Sequence, residues 1–390
     1  MGVPGRQQSN AATATPNAAR DSEPAFSEEI RAILDSPEVS GFVREREEAR
    51  ETGRIGYGWR ALVGAWMVRY LDDRASWKKT ARTIRDNPNL IAAIGGEPSE
   101  SALYRFSAKL LHDPTIVETL KRLLTAAYRE QRPGYGVDAV IDGTFIKAYS
   151  NGQRYVRKGG AERKRFSDSD ATWGHVPASS TRGASGGFGF KVMSLVCART
   201  EQPVDWLVVT AKAKEHFTVG PLLDSAAALG FRIETLAGDK AYDTRGTYDR
   251  ISARGVVPII ECGNRVQKND VRPPICEHGV WTPAGTDWQR REVRYRCPNW
   301  RNPTNRCARW SVRLPESRLI CLIPRETERW WKFRNRRGAV ERAFKLAKHE
   351  HRLDALRARG LARATRHVDM VYIAWLALAL VRARGTPVQA

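Results

Sequence analysis

Apolar residues recur at helical spacing through the first third of the chain, and the texture then turns strand-like. From about residue 27 to 131 the pattern is helical throughout. Residues 57–71 put Trp59, Leu62, Val63, Trp66, Met67 and Tyr70 on one stripe, with Arg60 and Arg69 off it. Residues 87–97 read as a turn-rich break. Pro98 and Ser99 then open a helix that Ser99 or Ser101 can cap, with Leu103, Phe106 and Leu110 on its apolar face. Arg105 and Lys109, four residues apart, project from that helix as candidates for contact with DNA. After Arg132-Pro133-Gly134, β-rich runs cover 137–149, 189–197, 204–211, 233–237 and 256–260. Helices are predicted over 215–229, 245–254 and 334–360, and a last apolar one over 361–384. Residues 1–25 form a polar tail expected to be disordered, and 151–187 a basic, Gly/Ser-rich loop expected to be mobile.

Charge narrows the picture more than composition does. A formal net charge of +22 with a pI near 10.1 favours a polyanionic partner, and nucleic acid is the default. The first 25 residues hold no apolar segment of the kind that directs export. The run 368–381 is broken by Asp369 and too short to cross a bilayer, so it predicts a buried helix and no membrane partner. A cytoplasmic, nucleoid-associated protein is the expectation. Five of the six cysteines fall between Cys262 and Cys321, and Cys197 sits in a strand-like run. Without an export signal, that grouping suits a metal site better than disulfides.

Candidate chemistry lies in three carboxylates. On the 334–360 helix, Arg334, Arg337, Glu341, Phe344, Lys348 and Arg352 fall within a stripe about 80° wide. Glu341 is the lone acid on a face of cations. It is either one half of a surface ion pair or a metal-binding acid flanked by cations that hold phosphates. Asp142 interrupts the apolar run after Ala139-Val140-Ile141, where an uncompensated charge is expensive, unless it lies on the solvent face. Asp239 ends its strand, at the edge where open α/β sheets bind ligands, or else serves as a turn or cap residue. Two strand-borne aspartates and a helix-borne glutamate can converge on oxygen-seeking divalent cations such as Mg²⁺. Two such ions would activate a water or a 3′-hydroxyl and stabilise the leaving oxygen at phosphorus.

The motifs IDGT around Asp142, GDKAYD around Asp239 and R-x3-E-x6-K through Arg337, Glu341 and Lys348 resemble those of DDE transposases. The last spacing is similar to the Tyr-Arg-Glu-Lys signature of one group of bacterial insertion-sequence transposases, with Arg334 where the tyrosine would stand. The resemblance covers roughly residues 30–385. It implies an α/β fold with a ribonuclease-H-like mixed five-stranded sheet and flanking helices. An all-α DNA-binding domain over 26–132 would precede the catalytic domain 133–390, which a Cys/Trp-rich insertion at 261–330 interrupts. It further implies that Asp142, Asp239 and Glu341 hold two Mg²⁺ ions, with Mn²⁺ as a substitute. Arg334, Arg337 and Lys348 would contact phosphates, with Lys240 and Lys191 as weaker candidates. The activity implied is DNA cleavage at element ends and strand transfer, by a homodimer on double-stranded DNA. In some relatives a tryptophan of the insertion stacks on a flipped base; Trp281, Trp288, Trp300 and Trp310 are the candidates, and nothing in the sequence selects one. Cys276, His278, Cys297 and Cys307 are candidate ligands for a structural Zn²⁺, with Cys262 and Cys321 as alternatives. Two other functions fit the same residues: a nuclease without strand transfer, and a non-catalytic zinc-containing DNA-binding protein.

Overall fold

The computed structural model describes residues 23–50, 56–72, 76–150, 152, 166–176, 185–263, 274–287, 289–290, 292–302, 304, 307, 310–313, 322–325 and 327–385. Seven helices come first: α1 (Glu23–Asp35), α2 (Pro37–Glu48), α3 (Trp59–Leu71), α4 (Trp77–Arg85), α5 (Pro88–Ile94), α6 (Glu100–His112) and α7 (Thr115–Gln131). The break expected at 87–97 is helix α5. Asn87 accepts the N–H groups of Asn89 and Leu90, Pro88 takes the first helical position, and Gly95 ends the helix at φ 76°. The Asn, Pro and Gly that read as a turn are the two punctuation marks of a very short helix. Ser99 caps α6 through the Ala102 N–H. Of the expected tail, residues 1–22 lie outside the described residues, and Glu23 already begins α1.

Six strands build the main sheet: β1 (Asp138–Lys147), β2 (Thr172–Val176), β3 (Ser185–Cys197), β4 (Pro203–Thr210), β5 (Thr235–Gly238) and β6 (Val257–Ile260). Between them lie α8 (Val219–Ala228), after β4, and α9 (Arg245–Ser252), after β5. The long β3 runs antiparallel to β1 on one side and to β4 on the other, while β5 and β6 extend the sheet parallel to β1. The order β4-β3-β1-β5-β6 is the ribonuclease-H-like arrangement expected. The short β2 adds a sixth strand, pairing with residues 185–189 along the edge of β3 that β4 leaves uncovered. It falls inside the stretch expected to be loop, most of which lies outside the described residues. Small strands follow: β7 (Ile275–Cys276), β8 (Gly279–Val280), β9 (Thr282–Asp287), β10 (Glu292–Arg296) and β11 (Trp310–Arg313).

The helix expected over 334–360 is two helices and a return segment: α10 (Glu328–Asn335), α11 (Gly338–His349), then irregular chain up to α12 (Leu361–Gly385). Tight turns at Arg336 and Arg337 separate the first two. Beyond α11, Arg352 adopts φ 62° and the Leu353 N–H bonds back to the Ala347 carbonyl, closing the helix. Leu353 and Leu356 are buried. Burying them repays a residue in the left-handed region, a gain that local propensity does not register.

Helix α12 is apolar nearly all round because it is core on nearly every side. Although long and apolar enough to span a bilayer, 72% of its apolar window is buried inside the protein. On one side Trp66 of α3 donates to the Met370 carbonyl (2.8 Å). On the other, Tyr372 meets Ser194 of β3 at 3.1 Å, and Trp206 of β4 donates to Asp369 at 2.8 Å. Arg382 and Arg384 pair with Glu29 and Glu38 at 2.6 and 2.7 Å. The N-terminal helices and the sheet therefore share one apolar core through α12. Trp66→Ala, at a fully buried position, is expected to cost about 3–5 kcal/mol. Urea unfolding followed by far-UV circular dichroism and tryptophan fluorescence should still show one coincident transition; two separate transitions would contradict the shared core.

Candidate active site

Strand register sets the site. β1 and β5 pair as Asp138 with Thr235, Ala139 with Leu236 and Val140 with Ala237, so two residues further on Asp142 and Asp239 stand level. β5 and β6 pair up to Gly238 with Ile260, so Glu261 stands level with Asp239 on its other side. Three acids thus stand side by side across three neighbouring parallel strands, Asp142 in the middle of β1 and Asp239 and Glu261 just past the carboxyl ends of β5 and β6.

Asp142 accepts the Gly143 N–H at 2.8 Å. Burial pushes its pKa up to about 7, and the charges of Asp239 and Glu215 add to the rise, while that N–H and Arg337 oppose it. Asp239 caps a single 3-10 turn, Lys240–Tyr242, by accepting the Ala241 N–H at 2.7 Å. The cap role weighed from sequence is therefore real, and it engages one oxygen of the carboxylate. Thr244 caps the following helix, α9. Below the acids Tyr242 is fully buried; burial, then Glu215, Asp142 and Asp239, hold its phenol well above the usual range.

Glu215 went unrecognised in the sequence, where it is only the first acid of a predicted helix. In the structure it opens the separate 3-10 turn Glu215–Phe217, which packs against the turn after Asp239. Gly143 lies beside it, and its missing Cβ makes room for Met193. A Cβ at that position would lie 2.7 Å from Met193 Sδ and 3.5 Å from the Glu215 carboxyl carbon. Lys191 pairs with Glu215 at 2.6 Å.

Glu341 lies in the first turn of α11, where the helix dipole favours an acid. It is largely exposed and accepts from Arg337 at 3.0 Å. The Arg337 charge also weakly opposes the rise of the Asp142 pKa. Arg334 pairs with Glu261 from α10, and Lys240 approaches the same carboxylate at 3.9 Å. Arg334 is therefore beside the acids but off the Glu341 helix. Lys348, on α11, is half-buried and its pKa is lowered by that burial, with Asp354 opposing. Arg105 and Lys109 lie elsewhere, on α6, where they line a groove of about 820 Å³ with Arg50, Tyr57 and Trp59. Lys109 Nζ stands 4.7 Å from the centre of the Trp59 ring.

In the insertion, Cys276, His278, Cys297 and Cys307 bring one ligand atom each to within 4.8 Å of all the others. Cys276 Sγ is 3.6 Å from Cys297 Sγ and 3.8 Å from His278 Nδ1, which is 3.6 Å from Cys307 Sγ. A tetrahedral ion with bonds of about 2.3 Å to sulfur needs ligand atoms about 3.5–3.8 Å apart. The cluster can hold a metal. Burial, then the neighbouring Cys297 and Cys276, push the Cys307 thiol up to about 11. Cys262 is outside the group, and Cys321 lies outside the described residues. Of the four tryptophans, Trp281 is buried and Trp300 exposed, with Arg296 and Arg301 at 4.7 and 5.3 Å from the Trp300 ring centre. Trp288 and the Trp310 side chain lie outside the described residues.

Acids gathered at strand ends of a ribonuclease-H-like sheet, with arginines around them, define the class of metal-dependent phosphoryl-transfer enzymes. More narrowly, the chain belongs to the transposase DDE domain family, whose model matches residues 136–377 and so takes in Asp142, Asp239 and Glu341. It is a DDE-class transposase, a polynucleotidyl transferase of a kind that works with divalent metal. Among solved structures, the piggyBac transposase in a synaptic complex with hairpin DNA aligns over 96% of this chain and 79% of that one, at 10% identity and a TM-score of 0.40. A likeness that distant leaves the assignment resting on the family match. No curated protein matches the chain.

Asp142 carries a measurable cost in the metal-free protein. Its folded pKa of about 7 exceeds the ordinary 3.8, so the folded state holds a proton that the unfolded state releases. Stability on this account is full below about pH 4 and falls as pH rises to about 7. A shift of about three units is worth up to about 4 kcal/mol. Asp142→Asn in EDTA should raise the melting temperature at pH 8 and leave it nearly unchanged at pH 4.

Proposed function

We propose that this transposase cuts DNA at the ends of a mobile element and joins the new ends to target DNA by in-line attack at phosphorus. The observation that carries this is the level placement of Asp142 and Asp239 on adjacent parallel strands, with α11 packed against β1 and Glu341 in its first turn paired to Arg337. These are hard oxygen donors, one of them largely buried beside other acids, a donor set that suits Mg²⁺, or Mn²⁺ in its place. Asp142, Asp239 and Glu341 would hold two such ions. A bound divalent cation supplies Lewis acidity at phosphorus and lowers the pKa of an attacking water or 3′-hydroxyl.

The chain's own residues do the rest. Arg337 sits between the acid pair and Glu341, placed to bind the scissile phosphate once cations neutralise its partners. Lys348 stands two turns further along α11 and extends that cationic face. Arg334 and Lys240, now on Glu261, and Lys191, now on Glu215, are available to the phosphodiester as those carboxylates turn to other partners. Arg105 and Lys109 contact DNA from α6, in a helical domain over 26–132 that precedes the catalytic domain 133–390. Exposed Trp300, between two arginines, is suited to stacking on an unpaired base. The motif spacing favours a bacterial insertion-sequence enzyme, working as a homodimer on double-stranded DNA in the cytoplasm.

In the insertion, 261–330, Cys276, His278, Cys297 and Cys307 hold a structural Zn²⁺, which stands in for the core that so small a module lacks. Purified protein is expected to carry about one zinc per chain by elemental analysis. Cys297→Ser should lose it and lower the melting temperature, while a metal content unchanged by the substitution would exclude the site.

The activity is tested with 3′-hydroxyl-ended DNA and a target plasmid in Mg²⁺. Joined products are expected from wild type. Glu341→Gln should lower nicking by at least about 100-fold with duplex binding intact. Hydrolysis without joined product would favour a plain nuclease. Tight binding with no nicking by wild type would favour a non-catalytic DNA-binding protein.

A further inference from the structure

A second cationic site lies away from the acids. α12, the return segment before it and α6 enclose a cavity of about 540 Å³. Five arginines line it: Arg69, Arg357, Arg359, Arg363 and Arg366. Among the described residues that line it there is no aspartate or glutamate. Five cations facing one space without a carboxylate among them make a strong local field for an anion.

Arg69 sets this cavity apart from an ordinary basic surface. It is 7% exposed, buried between Tyr70 and the ring of Trp77, whose centre is 4.3 Å from the guanidinium. Among the described residues its Nε and Nη1 have no hydrogen-bond partner. A buried guanidinium with unpartnered donors is costly, and an anion entering the cavity would offset its charge. Arg366 is paired with Asp369 at 3.4 Å, whereas Arg357, Arg359 and Arg363 are exposed. At the mouth, the Tyr104 and Tyr149 rings are each 53% exposed.

The cavity is also tied to the acid corner. Arg359 donates to the carbonyl of Tyr149 at 3.2 Å, and Tyr149 is seven residues beyond Asp142 along β1 and its continuation. Seven residues reach at most about 25 Å. That is roughly seven base pairs of duplex at 3.4 Å each. One DNA segment can therefore touch both places.

We propose that this arginine-lined cavity between the N-terminal helices and α12 is a phosphate-binding cleft that grips the DNA backbone several base pairs from the scissile phosphate. The proposal rests on the DNA-directed reading given above and adds a contact surface to it. The occupant is a sugar–phosphate backbone: arginine forks take the phosphates, and the two exposed tyrosines flank the entrance. Bases are not read here, so binding through the cleft is indifferent to sequence. Because the cleft borders α12, occupying it stiffens the junction between the helical block and the sheet.

The test is fluorescence anisotropy of the full chain with a labelled 30-base-pair duplex of arbitrary sequence, in EDTA, over a range of salt. Arg357→Ala with Arg363→Ala should weaken binding at least tenfold and reduce the slope of log K against log salt by about two, one for each lost phosphate contact. Arg69→Met, which removes the buried charge at similar volume, should also weaken binding while keeping or raising the melting temperature. A purely structural Arg69 would give the reverse. Unchanged slopes in both variants would overturn the cleft and leave DNA binding elsewhere intact. If the variants lose affinity for inorganic tripolyphosphate but not for duplex, the cleft serves a small free anion and the DNA assignment is overturned. Failure of wild type to bind duplex at all would defeat the wider reading instead.

Discussion

The placement of Asp142, Asp239 and Glu261 side by side across β1, β5 and β6, with Asp142 largely buried, constrains everything built around it. Asp142, Asp239 and Glu261 are held level by backbone hydrogen bonding, and Glu215 is brought over them by a 3-10 turn. Left alone, such a group would neutralise itself by taking up protons or would spread apart. Here burial, with the neighbouring charges adding to it, lets Asp142 hold its proton nearly to neutrality, and cationic side chains pair with three other acids: Lys191 with Glu215, Arg334 and Lys240 with Glu261, Arg337 with Glu341. The metal-free protein thus keeps its acids together with internal counter-ions. Those same cations are what a phosphodiester needs once divalent ions take the carboxylates.

This arrangement demands a rigid frame, and α12 supplies it. A helix buried on nearly every side fixes the sheet and the N-terminal helices to one another. It does so through hydrogen bonds from Trp66, Trp206 and Tyr372 as well as apolar contact. A DNA segment held by α6 or by the arginine cleft would be held in register with the acids too, since all three surfaces belong to one packed core. The insertion follows a different economy. Among its described residues the strands are short and few side chains are buried, and four potential ligand atoms converge there.

Much of this was legible in the order of residues. The strand runs, the helical first third and the three motif acids all depend on local periodicity and on side-chain chemistry, which a linear pattern carries. The four Cys/His ligands were named from type and grouping alone. What escaped depends on contacts far apart in sequence. Glu215 looks like any acid at a helix start until the fold lays its turn beside Gly143. Glu261 reads as the edge of an irregular region, yet strand register makes it a neighbour of Asp239. The return after His349 is invisible to helix propensity, because burial of Leu353 and Leu356 decides it.

The sequence by itself determined the kinds of element, the three motif acids, the metal-ligand types and the need for a polyanionic partner. These follow from periodicity, side-chain chemistry and net charge, and such properties are additive along a chain. Only the tertiary structure decided which cation answers which acid, that Arg334 leaves the Glu341 helix for Glu261, and that Arg69 joins four arginines of residues 357–366 around one cavity. Those outcomes depend on distance in space, which falls off with packing and not with separation along the chain.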